Sequence, residues 1–235
     1  MGNSSLVDYT KISPYKGSRY GKKIDTVSIH CVVGQCGVEA LGSVFQTKEA
    51  STNYGIGYDG RVGMYVEEKD RSWCTSSTAN DARAVTIECA SDAYHPYAVN
   101  AKVYATLIEL LTDICKRNGI KKLVWSTNKV DRVNHKNGCN MTVHRDYANK
   151  SCPGDYLYNR HQAIADAVNK KLMEDDEDMV RWNTISDVPE GFYRDTVKQL
   201  MQDGIIKGKG DGVIDLTEDM LRTMIFCQRI MEAKQ

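Results

Sequence analysis

Between Thr142 and Gly154 the chain places an imidazole (His144), an ammonium (Lys150) and a thiol (Cys152) within nine residues, and the stretch closes on Pro153-Gly154, a turn-forming pair. Histidine nitrogen and cysteine sulfur are donors that zinc prefers. A catalytic zinc takes three protein ligands and leaves its fourth position to water or substrate. The third donor must come from elsewhere, and His30, at the end of the apolar run that begins at Ile24, is the best placed of the other four histidines. Spacing alone leaves a second reading open, because a His and a Cys eight residues apart also arise in chains that bind no metal. His144-Arg145-Asp146 also fits the start of a kinase catalytic loop, which needs an Asn five residues beyond its Asp. Position 151 is Ser and no Gly-rich phosphate loop precedes it, so the kinase reading is excluded.

In order along the chain, His30 closing a strand, then Thr142-Val143-His144, then Lys150-Ser151-Cys152-Pro153-Gly154, resemble the motifs of the type 2 family of zinc N-acetylmuramoyl-L-alanine amidases. That family includes phage endolysins, bacterial autolysins and animal peptidoglycan recognition proteins. The resemblance extends from about Asp25 to about Leu172. It implies an α/β fold with a mixed β-sheet flanked by helices, a Zn²⁺ held by His30, His144 and Cys152, and a catalytic Lys150 facing the developing oxyanion. The family's general base is a Glu ending a strand that reads Ile-Gly-Ile-Glu, or a Tyr just before the hairpin strand. Here Val85-Thr86-Ile87-Glu88 supplies the Glu and Thr52 stands at the Tyr position, so the resemblance assigns Glu88 as base and acid. Its residue type agrees, since a Glu ending an apolar strand needs a partner or a task.

Tyr54, Trp73 and Asn80 are expected in the substrate groove, with simple packing the alternative for Tyr54. Many relatives carry Trp-His-Ala-Gly where this chain has Trp73-Cys74-Thr75-Ser76, so a substrate-touching His is missing while the metal ligands are intact. The implied reaction is hydrolysis of the amide between muramic acid and L-alanine in peptidoglycan. The alternatives are a metal-free recognition module of the same fold, a bacterial autolysin, or a zinc enzyme acting on another amide. Cys152 together with both histidines argues for the enzyme over the recognition module.

With 235 residues the chain can bury one sizeable core and a small second unit. No apolar run approaches the ~20 residues that a membrane helix needs, which excludes membrane insertion by that route. Met1 to Asp8 lacks the basic and apolar regions of a signal peptide, and Leu6 breaks the myristoylation pattern. Joined to the resemblance, this predicts an endolysin held in the host bacterial cytoplasm until a holin releases it to the cell wall. The eight cysteines are too scattered for a disulfide framework, and Cys31, Cys89 and Cys115 fall in apolar periodic stretches as core residues. Residues 1–172 hold 23 of the 31 Lys and Arg but 17 of the 31 Asp and Glu, so a basic unit precedes an acidic one. A basic unit is drawn to an anionic polymer. No basic stripe interleaved with aromatics points to nucleic acid, so bacterial peptidoglycan is the expected partner.

The elements that must position these residues follow from periodicity. Strands are predicted over Thr26–Val33, Ala84–Cys89 and Lys121–Thr127, with a hairpin over Asn53–Val66 turning at Asp59-Gly60. Helices are predicted from Cys36 to about Thr47, over Asn100–Asn118 with Gly119 as its stop, and over Asp155–Leu172. Residues 1–23 read as an arm and Asp131–Asn140 as a polar loop. Three parts are expected: a catalytic domain at 1–172, an acidic linker at 173–180 and a small helical domain at 181–235. In the last, Pro189–Asp203 and the stretch capped by Thr217 should pair through Val197, Leu200, Met201, Leu221, Met224, Ile225 and Ile230. Ile185-Ser186-Asp187-Val188-Pro189 followed by Asp203-Gly204-Ile205-Ile206-Lys207-Gly208 is similar to one S-layer-homology repeat without its Thr-Arg motif. Its acidic charge argues against attraction to anionic wall polymers, so homo-oligomerisation is expected over wall binding.

Overall fold

The computed structural model describes residues 2–177 and 180–232. The chain divides into two compact units, Met1–Leu172 and Met173–Gln235. In the first, β1 (Val7–Thr10), β2 (Lys16–Gly17) and β3 (Thr26–Cys31) precede α1 (Val38–Thr47) and the hairpin β4 (Tyr54–Ile56) and β5 (Val62–Met64). Then follow β6 (Arg71–Ser72), α2 (Thr78–Arg83), β7 (Ala84–Cys89), α3 (Ala101–Asn118), α4 (Lys129–Val133), β8 (Met141–Thr142), α5 (Gly154–Tyr158) and α6 (His161–Glu177). One sheet of order β1-β5-β4-β7-β3-β8 forms the centre, and β2 pairs β6 beside it. Only β4 and β5 pair antiparallel in the main sheet, so it is mixed, as expected.

β3 and β7 are the central strands and are buried along almost their whole length, which is why they read as β-branched runs with little alternation. α3 supplies Val103, Leu107, Leu110, Leu111 and Ile114 to the core. Asn100 caps it by accepting from the Val103 amide at 3.0 Å, and Gly119 stops it in the left-handed region at φ 69°. The β4–β5 turn runs through Gly60 at φ 90°, a conformation that disfavours any side chain.

Several expectations change. The N-terminal arm contributes β1, an edge strand parallel to β5. Lys121–Thr127 joins no ladder, and two of its amides are taken by side chains: Leu123 donates to Asn169 Oδ1 at 2.7 Å and Val124 to Asn140 Oδ1 at 2.8 Å. The loop at 131–140 holds the end of α4 and a 3-10 turn at Lys136–Gly138, and the closing helix is broken into α5 and α6. The acidic run continues α6 as far as Glu177, while 178 and 179 lie outside the described residues.

The second unit contains β9 (Arg181–Trp182), α7 (Phe192–Gln202), β10 (Leu216–Thr217) and α8 (Glu218–Glu232). β9 and β10 pair antiparallel, which sequence periodicity did not indicate. Thr217 Oγ1 caps α8 by accepting from the Met220 amide at 3.1 Å. Trp182, Val188, Val197, Leu200, Leu216 and Leu221 are buried together. Met201 and Ile230, expected at the helix pairing, are exposed.

Candidate functional site

The site stands at the carboxyl ends of β3 and β7, the usual position for ligands in α/β sheets. Parallel register sets His30 directly beside Glu88. Ser28, two residues earlier and therefore on the same strand face, fixes the imidazole. Its hydroxyl donates to the Thr142 carbonyl at 3.2 Å, so it accepts from His30 Nε2–H at 3.3 Å. The ring's lone pair is then at Nδ1, which lies 3.3 Å from Cys152 Sγ.

His144 enters from the 3-10 turn His144–Asp146, directly after β8 and Val143. The loop from there to Cys152 is pinned underneath by Arg132, whose guanidinium forks onto Asp146 at 2.6 and 2.7 Å with both side chains almost fully buried. The Arg145 amide donates to the Cys152 carbonyl at 3.2 Å, which draws the two ends of the loop together. Ser76 Oγ lies 3.2 Å from His144 Nε2.

One ligand atom each from His30, His144 and Cys152 lies within 4.8 Å of the others. Burial pushes His30 down to about 3 and, with Lys150's charge second, also lowers His144, so both rings are neutral and able to donate a lone pair at neutral pH. Contact with the Cys31 thiol and then burial push the Cys152 thiol well above the ordinary range. A divalent cation reverses that preference by stabilising the thiolate. Two nitrogens and one sulfur in such a cluster fit a zinc ion with an open fourth position.

Glu88 completes the centre. Its Oε1 is 3.9 Å from His30 Nδ1 and accepts from the Cys74 thiol at 4.0 Å, while Oε2 is buried with no hydrogen-bond partner among the described residues. Burial raises its pKa to about 7, against a smaller opposing pull from Lys48. A carboxyl group so tuned exchanges a proton readily near neutrality. His30, Cys74 and Glu88 form a second cluster of close donor atoms that shares His30 with the first. A cavity of about 880 Å³ opens onto the centre, lined among others by Glu88, His144, Lys150, Cys152, Cys74 and Trp73.

The structure thus gathers His30, His144, Cys152, Glu88, Lys150 and Trp73, but two groove expectations are corrected. Tyr54 is fully buried, and its hydroxyl donates to Glu68 Oε1 at 2.8 Å and accepts from the Ser4 amide at 2.9 Å. It pairs with Ile87, one residue before Glu88, so pleating turns it to the opposite face. Asn80 is also buried. It accepts from Thr142 Oγ1 at 2.9 Å and Tyr147 OH at 3.0 Å and braces the His144 loop from behind. Sequence reasoning missed Ser28, Ser76 and Lys48. Of these only Ser28 carried a signal, its two-residue spacing from His30.

A mixed α/β sheet that brings two histidines, a cysteine and a proton-exchanging carboxyl to one cavity is a hydrolase-type arrangement. Residues 13–155 match the family model described as N-acetylmuramoyl-L-alanine amidase, more than half of the chain, and the chain belongs to that family. Membership ties it to peptidoglycan, as an amide hydrolase or as a binding protein. No curated protein sequence matches the chain. Among solved structures, a selenomethionine derivative of AmpD is 18% identical over 69% of this chain and 96% of its own, with a TM-score of 0.51. The catalytic domain of XlyA is 13% identical over 69% of this chain and 99% of its own, with a TM-score of 0.50. At such identities the likeness is one of fold.

Proposed function

We propose that the protein is a zinc-dependent N-acetylmuramoyl-L-alanine amidase that hydrolyses the amide joining muramic acid to L-alanine, and that it acts as a phage or prophage endolysin. His30, His144 and Cys152 would hold the zinc. When bound, zinc supplies a Lewis acid that polarises a carbonyl oxygen and lowers the pKa of water. Glu88 takes a proton from the attacking water on its unpartnered Oε2 and delivers it to the leaving nitrogen as the C–N bond breaks, so that alanine departs as an amine. Lys150, at the cavity wall beside His144, offers an ammonium to the oxyanion. Trp73 forms part of the groove wall. The observation that carries this reading is the free, buried Oε2 of a carboxyl titrating near neutrality, one strand from a ligand histidine. Storage in the host cytoplasm followed by holin-mediated access to the wall is the context that fits an endolysin.

The test is zinc content and turbidity loss on purified cell walls, for the wild type and Cys152→Ser. One zinc per wild-type chain, wall lysis and new N-terminal alanine are expected, with metal and lysis lost together in Cys152→Ser. Zinc with lysis but no new N-terminal alanine would move the scissile bond elsewhere. Absence of zinc and of lysis in the wild type would leave a recognition module.

A further inference from the structure

Cys74 and Glu88 bring two further ligand atoms to the cavity, apart from those of His144 and Cys152. Cys74 Sγ lies 4.0 Å from Glu88 Oε1, and with His30 they form a set whose three ligand atoms all lie within 4.8 Å of one another. Both residues are held on fixed backbone. Glu88 sits in β7 between its register partners His30 of β3 and Gly55 of β4. Cys74 is pinned by Asp81, which accepts from the Cys74 amide at 3.0 Å and from the Thr75 amide and hydroxyl. Donors fixed in this way form a site before any ion arrives.

No protein cation serves the pair. Among the described residues no lysine or arginine forms an ion pair with Glu88, and its Oε2 is buried without a partner. A thiolate and a carboxylate this close repel each other unless a positive charge lies between them. Zn–S and Zn–O bonds of about 2.3 Å and about 2.0 Å together exceed the 4.0 Å between the two atoms, so one zinc ion spans both without a shift of backbone. A thiolate beside a carboxylate suits zinc, whereas magnesium and calcium take oxygen donors.

His30 decides how the two donor sets share metal. Its Nε2–H is committed to Ser28, so its one lone pair is at Nδ1, 3.3 Å from Cys152 Sγ and 3.9 Å from Glu88 Oε1. One imidazole lone pair serves one ion. When it serves an ion on His144 and Cys152, a second ion has Cys74, Glu88 and water. With two protein donors instead of three, that ion is held more weakly.

We propose that Cys74 and Glu88 form a second, weaker zinc site, and that filling it takes the Glu88 carboxylate out of proton transfer. The protein is then inhibited by an excess of the metal that its first site needs. Binding of the second ion stands on the donor geometry, and its inhibitory effect rests on the amidase reading.

Equilibrium dialysis of the full chain against rising Zn²⁺ tests this, for the wild type and Cys74→Ala. At saturation the variant should bind one ion fewer than the wild type while keeping the tighter one, and equal stoichiometry overturns the proposal. In the wild type, iodoacetamide labelling of Cys74, read by peptide mass spectrometry, should persist with the first equivalent of zinc and stop with the second. Labelling that ignores the second equivalent overturns the proposal even if the variant does not fold. Hydrolysis of a soluble muramoyl peptide should be the same for both proteins at one equivalent. Saturating zinc should lower the wild-type rate by about 10²-fold or more, the contribution expected of a general base, and leave the Cys74→Ala rate unchanged. An equal response of the two proteins overturns the inhibitory role. If neither cleaves the peptide at any zinc concentration, the amidase reading fails, and dialysis and labelling still decide the second site.

Discussion

The two units use polar residues in opposite ways. The amidase unit buries His30, Glu68, Asp81, Arg132, Asp146 and many hydroxyl groups, whereas Thr217 is the buried polar residue of the C-terminal unit among the described residues. Buried polar groups cost free energy unless each finds a partner, so they persist where a network holds them in one geometry. In the first unit some of those networks brace the site: Ser28 on His30, Arg132 and Asp146 under the His144 loop, Asn80 behind it. The second unit rests on a small apolar core, with ion pairs such as Arg222–Glu218 at its surface, where they contribute little. It also leaves Phe192, Phe226 and Ile205 more than half exposed. The difference separates a frame that holds polar side chains in fixed positions from a unit held by a small apolar core.

That contrast can be tested by breaking each part. The largest effect is expected from Glu88→Gln, which removes the proposed proton transfer while leaving the three proposed zinc ligands, His30, His144 and Cys152, in place. Turnover should fall by about 10²- to 10⁴-fold with zinc content unchanged, and wild-type turnover would remove Glu88 from the mechanism. Asp146→Ala strands the buried Arg132 guanidinium and should destabilise the first unit by about 3–5 kcal/mol, measured by denaturant unfolding. A loss under about 1 kcal/mol would show that the pair does not anchor the loop. Leu221→Ala should destabilise the second unit by about 2–5 kcal/mol, comparable to the whole stability of so small a unit. Hydrolysis of a soluble muramoyl peptide should be untouched, because the cavity-lining residues all belong to the first unit. A parallel fall in that activity would mean that the units are functionally coupled. The smallest effect is expected for Ser28→Ala, which frees the His30 ring to rotate or change tautomer. Zinc affinity measured by chelator competition should weaken by about 10- to 100-fold, and unchanged affinity would deny Ser28 its orienting role.

Much of the fold, and the donor residues of the candidate centre, are legible in the sequence. The β-branched runs ending at His30 and Glu88, the Asn100 cap with its Gly119 stop, and the Asp59-Gly60 turn are local signals that tertiary packing left in place. The missed pieces were long-range. β1 joins the sheet only because β5 offers an edge, and Lys121–Thr127 joins no ladder, with two of its amides taken by Asn140 and Asn169.

The same division holds for the site. Residue types and their order along the chain determined which donors exist: two neutral-capable imidazoles, a thiol, a strand-end carboxyl and a nearby ammonium. Only the tertiary structure decided what each can do, because burial and register are properties of neighbours far apart in the chain. Pleating sent Tyr54 away from the groove, packing turned Asn80 into a brace, and desolvation brought the Glu88 carboxyl to about 7.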